Sequence, residues 1–262
     1  MNALGKVFHQ QRSFGRVELS VGERGLHHMR EEGSAKVRFP FGGNEAILIN
    51  TGGGLAGGDH FEFELEAQAH AKLNITSQAA ERVYRTLGPA AQVHTTLKAS
   101  ANAQLFWLPQ ETILFDGAAL TRKLDVDLSP TSTFLAVEPI IIGRPEAGER
   151  VLQILFRDSW RIRKGGELIF ADNIALHGMP PTSKATLNFA TAMANVVFIS
   201  ENCEEKLDAV RAVLRENCSA SAWNGKLVAR FLARDGFELR KSLVPALTVL
   251  AGEFELPKVW TL

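Results

Sequence analysis

The densest run of residues with a recognisable chemical use is a glycine-rich loop at residues 50–59, which reads NTGGGLAGGD. Gly52, Gly54 and Gly57 satisfy the spacing G-x-G-x-x-G, which in dinucleotide-binding proteins lets the backbone approach a pyrophosphate. That use requires a helix directly after the loop, because the amides of the helix N-terminus hold the phosphate. Residues 60–67 instead alternate polar and apolar side chains, which predicts a β-strand. We therefore expect a turn between two strands and no nucleotide site.

Other catalytic templates find no match in this sequence. The seven histidines are scattered, and HExxH, CxxC, Gly-x-Ser-x-Gly and the Gly-Lys-Ser/Thr ending of a phosphate-binding loop are all missing. Cys203 and Cys218 lie 15 positions apart around a predicted helix, which would separate them by about 22 Å. Because a disulfide requires Cα atoms within about 7 Å, we expect two free thiols.

Carboxylates beside predicted turns are the remaining candidates for chemistry. They are Asp59, Glu81, Glu111, Asp116, Glu138 and Glu149. A pair of carboxylates on a β scaffold can hydrolyse glycosidic bonds, and the distance between the two groups decides whether it does. The sequence does not give that distance, so a carbohydrate-active β-solenoid enzyme stays open as an alternative function.

An irregular repeat indicates which elements position these groups. Segments beginning at Leu65, Leu97 and Val126 each read as the end of a strand, a turn of small residues and a new strand, at offsets of 32 and 29 residues. A period near 30 residues is typical of stacked coils, in which each coil covers the hydrophobic edge of the last. We predict a mainly β fold, a superhelix of solenoid-like stacked strands. A β-sandwich with evenly spaced hairpins is the alternative.

The last third of the chain mixes strands with helices. Strands are predicted at 159–163 and 167–170, which form a hairpin, and at 194–199 and 226–233. Two α-helices are predicted near 203–217 and 235–251, with Asn202 and Asp235 as their N-caps. Pro245 would bend the second helix or mark its start.

Composition and charge limit the class of protein. Lys plus Arg and Asp plus Glu both number 29, so a zero formal charge indicates no nucleic-acid or anionic-membrane partner. No run approaches the ~20 apolar residues of a membrane span and the start lacks a signal-peptide pattern, so we expect a cytoplasmic protein. Without a proline- or serine-rich linker, we expect one domain, residues 1–262, with a β-superhelical part at 1–185 and an α/β layer at 186–262.

Several motifs together resemble a known family. Residues 50–59 are similar to the Asn-Thr-Gly-Gly-Gly-x-x-Gly-Gly-Asp loop of the UreD/UreH urease accessory proteins. Further matches follow in the family's order at 76–85 (TSQAAERVYR), 107–113 (WLPQETI), 143–149 (GRPEAGE), 223–225 (WNG) and 256–260 (LPKVW). Glu81 departs from the pattern, because members often carry a small or polar residue such as Thr there.

The resemblance implies a non-enzymatic chaperone for urease maturation, built as a right-handed β-superhelix with two helices in the C-terminal third. Such proteins bind apo-urease, recruit the UreF accessory protein and through it the UreG GTPase, and help nickel to reach the urease active site. An internal tunnel is the route proposed for the metal. The resemblance implies no tightly bound cofactor and only transient contact with nickel.

Asp59 and Glu149 are the residues that we expect to line such a nickel route, because they end glycine turns in family motifs. A His/Cys cage with nanomolar affinity would release the ion at only ~10⁻² s⁻¹, so a conduit should use sparse oxygen ligands and water. The alternative for Asp59 is that its carboxylate accepts hydrogen bonds from loop amides.

Tyr84, Arg85 and Trp107 are the predicted partner-binding residues. Tyr, Trp and Arg dominate the hot spots of protein interfaces, and these three lie in the motifs at 76–85 and 107–113. Packing in the core is the alternative for Trp107.

Overall fold

The computed structural model describes residues 12–40, 44–144 and 148–260, and most of these residues lie in strands. The strands within the described ranges are β1 (Phe14–Gly22), β2 (Gly25–Gly33), β3 (Ala35–Arg38), β4 (Glu45–Asn50), β5 (His60–Ala67), β6 (Lys72–Ser77), β7 (Glu81–Val83), β8 (Ala91–Ala99), β9 (Gln104–Trp107), β10 (Thr112–Leu114), β11 (Ala119–Leu128), β12 (Thr133–Ile142), β13 (Ile154–Lys164), β14 (Glu167–Gly178), β15 (Ala192–Ile199), β16 (Cys218–Trp223) and β17 (Lys226–Ala233). The α-helices in the same ranges are α1 (Leu207–Val213) and α2 (Gly236–Ala251).

The strands stack in the register that the sequence repeat predicts. In the first sheet, called sheet A, the parallel strands β5, β8 and β11 place Leu65 beside Leu97 and Leu97 beside Val126. In sheet B, β6, β9 and β12 also pair in parallel. Each coil passes from sheet A to sheet B, which makes a β-solenoid of about four turns. The predicted superhelix is confirmed, and the sandwich of hairpins is wrong because adjacent strands of successive coils run parallel.

Sheet B separates two hydrophobic cores. Sheet A has the order β14-β13-β11-β8-β5-β1-β2, and sheet B runs β16-β17-β15-β12-β9-β6-β4-β3, with β10 and β7 following from β12. Phe61, Phe134 and Trp160 belong to the core between the sheets. Phe231 and Leu243 belong to the core between the other face of sheet B and the helices. The helices therefore cover the solenoid from one side and leave its interior to the two sheets.

The glycine-rich loop joins β4 to β5, as expected for a turn between two strands, and β5 is extended from His60 onwards. Leu55 at the centre of the loop is 1% exposed, and its N–H donates to the carbonyl oxygen of Arg82 on the next coil (2.7 Å). A Cβ on Gly54 would lie 2.4 Å from the Tyr84 ring and 2.8 Å from the Arg82 oxygen. Glycine is thus required for the close approach of this loop to the coil above it.

Helix α2 follows its prediction closely. The Asp235 side chain accepts a hydrogen bond from the Glu238 N–H (2.8 Å), which confirms the N-cap. The predicted apolar stripe is buried, and it consists of Leu239, Leu243, Leu247 and Leu250. Pro245 lies inside the helix, so the expectation that the helix begins there is wrong. Its missing N–H removes one backbone hydrogen bond, while the buried stripe holds the helix on sheet B.

The predicted helix at 203–217 is too long. Cys203–Lys206 form a 3₁₀ turn, α1 ends at Val213, and Leu214 is already extended (ψ 144°). Asn202 makes no side-chain cap, so its predicted role is wrong. The helix stops early because the chain must reverse to start β16, and Asn217 makes that turn with a positive φ of 61°.

The hairpin of β13 and β14 is confirmed, and Gly165 and Gly166 supply its turn with φ values of 60° and 87°. Cys203 and Cys218 are free, as predicted. No helix within the described ranges is long and apolar enough to cross a membrane. The single domain divided near residue 185 stays a prediction.

Gly54→Ala tests the tight contact between the glycine loop and the next coil. Because the new methyl group would meet backbone as well as a ring, and φ is +145°, we expect a loss of roughly 3 kcal/mol of unfolding free energy. Gly53→Ala is the control, since Gly53 also has a positive φ but has open space at its Cβ position. Urea denaturation measures both variants, and equal losses would contradict the steric argument.

Candidate functional site

A cavity of about 90 Å³ lies between the two sheets. Its walls are mainly apolar, with Phe61 and Phe63 from sheet A. The polar residues in its lining come from several coils, and they are Asn50, Ser77, Glu81, Thr95, Gln110, Thr112, Arg122 and Glu138. A space of this size and polarity accommodates a few water molecules. The solenoid thus collects carboxyl, amide and hydroxyl groups inside its core.

The buried charges of this interior are centred on Arg122, which β11 directs inwards. Its guanidinium forms a two-pronged pair with Asp158 on β13, with Nε to Oδ1 at 3.1 Å and Nη2 to Oδ2 at 2.9 Å. Its Nη1 forms an ion pair with Glu138 on β12. All three residues are at most 6% exposed. We call Arg122, Glu138 and Asp158 the charge cluster, and it joins sheet A to sheet B.

Neutral donors and acceptors complete the charge cluster. The indole N–H of Trp107 donates to Glu138 Oε1 (2.8 Å), and that of Trp160 donates to Asp158 Oδ2 (3.2 Å). Thr112 Oγ1 accepts from Arg122 Nη1 (3.0 Å). Each charged side chain therefore has hydrogen-bond partners beyond its ionic ones, which buried charges need in order to be tolerated.

The charge cluster contains two carboxyl groups and one guanidinium. Burial raises the pKa of Glu138 to about 7, and the nearby Asp158 charge adds to this while Arg122 opposes it. Burial alone would lower the pKa of Arg122, but the carboxylates of Asp158 and Glu138 raise it. The guanidinium stays charged, and Glu138 is the member of the cluster that can gain or lose a proton near neutral pH.

Glu81 is a second carboxyl group in the lining, and it connects the cavity to the glycine loop. The Asn50 amide donates to both Glu81 oxygens (3.2 Å each) and to the Gly54 carbonyl oxygen (3.0 Å). Burial raises the pKa of Glu81 to about 7, against the hydrogen bonds from Asn50 and the backbone, and the charge of Asp59 adds a smaller increase. The interior therefore holds two carboxyl groups that titrate near neutral pH.

Gln110 links the cavity to the C-terminal layer. Its Oε1 accepts from Arg240 Nη2, while its Nε2 has no hydrogen-bond partner among the described residues. Arg240 on α2 also donates from Nε to Glu111 Oε1 (2.6 Å) and lies over the Trp260 ring (5.1 Å). The 107–113 and 256–260 motifs are thus held together by one arginine that the sequence analysis did not single out.

Arg122 and Asp158 were also missed, although the sequence carries a signal for both. Arg122 lies two residues from Leu120 and two from Leu124, so in an alternating strand it shares their buried face. Asp158 interrupts the apolar face of β13 in the same way. A charged residue at an inward position of a strand predicts a buried ion pair, and two such residues on adjacent coils predict each other.

Asp59 lies outside the cavity lining. Its Oδ1 accepts from the Ser13 N–H (2.7 Å) and its Oδ2 from the Ala56 N–H (2.8 Å). These bonds match the alternative role of Asp59, in which its carboxylate accepts hydrogen bonds from backbone amides. The role of Asp59 in a nickel route stays a prediction. Its charge raises the pKa of Glu81, which lines the cavity.

Glu149, Arg85 and Tyr84 come together at a surface formed by the turns of successive coils. Glu149 accepts from Arg144 Nε (3.1 Å) and from the Asp116 N–H (3.3 Å), and Arg85 forms an ion pair with Asp116. The hydrogen bond with Arg144 lowers the pKa of Glu149.

Aromatic and cationic groups continue the same surface. Tyr84 packs edge-on against Phe115 (5.4 Å between centroids), and Arg144 lies over the Phe115 ring (4.1 Å). We call the surface of Tyr84, Arg85, Phe115, Arg144 and Glu149 the turn ladder. Glu149 belongs to the turn ladder and is absent from the cavity lining, so its nickel-route role also stays a prediction.

Trp107 is buried and does not belong to the turn ladder. It is 5% exposed and its indole binds Glu138 in the core. This burial supports the alternative of core packing, and the partner-binding role of Trp107 stays a prediction. Within the described ranges, no group of three His, Cys, Asp or Glu side chains is arranged to hold a metal ion.

The pKa of Glu81 predicts a pH-dependent stability. Between about pH 4.5 and about pH 7 the folded chain keeps a proton that the unfolded chain releases, so unfolding free energy falls as pH rises through this window. Glu81→Gln removes the contribution of Glu81 and leaves that of Glu138, so the variant should gain roughly 2 kcal/mol over the parent between about pH 5 and about pH 8. Denaturant titrations at several pH values measure this gain, and a constant difference would contradict it.

Arg122→Met tests the charge cluster. Removing the guanidinium leaves two buried carboxyl groups without a counter-charge, so we expect a loss of about 3–5 kcal/mol of unfolding free energy. Arg157→Met on the exposed face of β13 is the matched control and should change stability by about 0.5 kcal/mol or less. Thermal unfolding at neutral pH compares them, and similar melting temperatures would rule out the central role of Arg122.

Comparisons with known proteins match nearly the full chain. The family model "UreD urease accessory protein" matches residues 13–261. The urease accessory protein UreD of Rhizobium johnstonii is 43% identical over 96% of both chains, and that of Rhizobium etli is 42% identical over the full length of both. The one from Agrobacterium fabrum is 44% identical over 97% of this chain and 93% of its own. These relatives are accessory proteins and not enzymes, which sets aside the carbohydrate-active alternative. The chain belongs to the UreD family of urease accessory proteins.

Proposed function

We propose that this protein is a non-enzymatic scaffold in urease maturation that acts in the cytoplasm. The observation that carries the proposal is the match of a urease accessory family to residues 13–261, which includes the coils that build the cavity and the turn ladder. A scaffold needs a rigid body with surfaces for partners, and a solenoid of in-register coils provides both.

The proposed partners are apo-urease, a UreF-type accessory protein and, through it, a UreG-type GTPase. The turn ladder supports binding of a protein partner, because Tyr84 and Arg85 are exposed there beside the loop tip residue Leu87, which is fully exposed. Tyrosine and arginine on a fixed framework are frequent anchors of interfaces.

We further propose that nickel is a cargo that passes through the cavity in transient contacts with its polar lining residues. The lining offers isolated oxygen donors and no histidine or cysteine. Donors of this kind hold nickel more weakly than imidazole nitrogen or thiolate would, so an ion could leave quickly. Glu138 and Glu81 are the ionisable oxygen donors in this lining, and Asp59 and Glu149 are proposed as further carboxylates along the route.

Reconstitution of the complex and of urease activation tests the proposal. The purified chain should assemble with apo-urease and the UreF- and UreG-type proteins, and nickel-dependent urease activity should appear only when the chain is present. Failure to assemble, or full activation without this chain, would refute the scaffold role.

Glu138→Gln tests the interior route separately. The amide oxygen can still accept from Trp107, and Arg122 keeps its two-pronged pair with Asp158, so folding and assembly should persist. Urease activation should fall several-fold because the lining loses a charged donor. Glu167→Gln, at the exposed first residue of β14, is the matched control. Normal activation by Glu138→Gln would exclude a charge-dependent route through this cavity.

A further inference from the structure

The two sheets end unevenly at the C-terminal end of the solenoid. Sheet A ends with β14 and sheet B ends with β16. Asp172 on β14 accepts from Arg230 on β17 (2.8 Å) and from Asn195 on β15 (3.0 Å), so β14 lies opposite β15 and β17. Strand β16 therefore extends beyond the last strand of sheet A, and no described strand of sheet A covers it.

The free edge of β14 is long and carries almost no charge. The strand spans twelve residues, and along its other edge no strand of the described residues pairs with it. Between Leu168 and Leu176 the only charged residue is Asp172, which points inwards to Arg230. A β-bulge at Ile169 interrupts the start of β14. Residues 170–176 contain no lysine, proline or further bulge, so their unpaired N–H and C=O groups can bind another strand.

The inner face of β16 is exposed next to this edge. Ser219 and Ser221 are exposed, Trp223 is 42% exposed, and all three share the face on which the Arg230 side chain is 57% exposed. The opposite face of β16 is covered by the helical layer, with Ala220 at 6% exposure. The free edge of β14 and the exposed face of β16 with Ser219, Ser221 and Trp223 thus border the same space. We call this space the strand notch.

A second copy of this chain does not fit the strand notch. A strand added to β14 would lie ~4.8 Å beyond it and opposite β16. If that strand were β14 of another copy, the copy's own β17 would have to lie opposite it, in the space that β16 fills. A single extended segment has no second sheet attached at this distance and avoids the clash.

We propose that the strand notch binds an extended segment of a partner polypeptide by strand addition to β14. Backbone hydrogen bonds to β14 supply affinity, and every second side chain of the segment points at β16. These side chains are small or polar opposite Ser219 and Ser221 and apolar opposite Trp223, whose indole lies beside the Lys226 ammonium group (4.9 Å). The bound segment completes sheet A opposite β16.

Hydrogen–deuterium exchange within the complex of the proposed function tests this inference, which rests on that function. In the isolated chain the β14 amides of the free edge, about every second residue, should exchange rapidly. In the complex with apo-urease and the UreF- and UreG-type proteins they should slow by about tenfold or more. A complex that forms while β14 still exchanges rapidly overturns the strand notch and leaves the scaffold role intact. No complex at all overturns both.

Two tryptophan variants make the test specific. Ser221→Trp fills the notch from an exposed position, so it should weaken assembly by about tenfold, abolish the protection of β14 and leave the melting temperature unchanged. Ala175→Trp, on the exposed outer face of β14, should assemble normally. Equal assembly by both variants contradicts the proposal. Protection of β14 already present in the isolated chain also contradicts it, because the edge would then be occupied by a segment of the chain itself or by a second copy.

Discussion

In-register stacking of successive coils is the constraint on which the rest of this structure depends. Leu65, Leu97 and Val126 lie side by side in sheet A because each coil repeats the backbone path of the one before it. The same repetition places Arg122 beside Asp158, 36 residues away, and Trp107 beside Glu138, 31 residues away. The cavity is therefore a product of the stacking, and its polar groups, apart from Gln110, lie at fixed positions because each is part of a strand.

The charge cluster is costly for an interior that could have been apolar. Two carboxyl groups and one guanidinium removed from water usually contribute less stability than well-packed hydrophobic residues of the same volume. Here each charge has partners, and the excess carboxyl group is left with a pKa near neutrality. This interior therefore keeps a carboxyl group that can bind or release a proton near neutral pH.

The parts of the fold that follow from local patterns could be predicted from the sequence. The alternation in β5, the 32-residue offset and the Asp235 cap were sufficient because each depends on neighbours or on a repeat. The length of α1 could not be read in this way, because its end is set by the return of the chain to the edge of sheet B. The charge cluster was missed for a related reason. Its members are far apart in sequence, and only the stacking register shows which inward charges are adjacent.

The site residues show the same division. Asp59, Glu149 and Tyr84 were chosen from motifs beside turns, and the structure places them in loop hydrogen bonds and on the turn ladder. The sequence indicated Glu138 as one of the carboxylates beside turns, but its spacing did not predict the ion pair with Arg122. The motifs thus identified residues at the turns of the coils but not the charged residues of the interior.

The hydrogen bond from the Trp260 indole to the Leu108 carbonyl oxygen (2.8 Å) joins residues 152 positions apart. During synthesis on the ribosome the early coils emerge first and can stack on one another, but this hydrogen bond cannot form until Trp260 has left the ribosome. Over that interval the outer face of sheet B around Phe106 and Leu108 lacks its cover, and the nascent protein exposes an apolar surface to chaperones and to other chains.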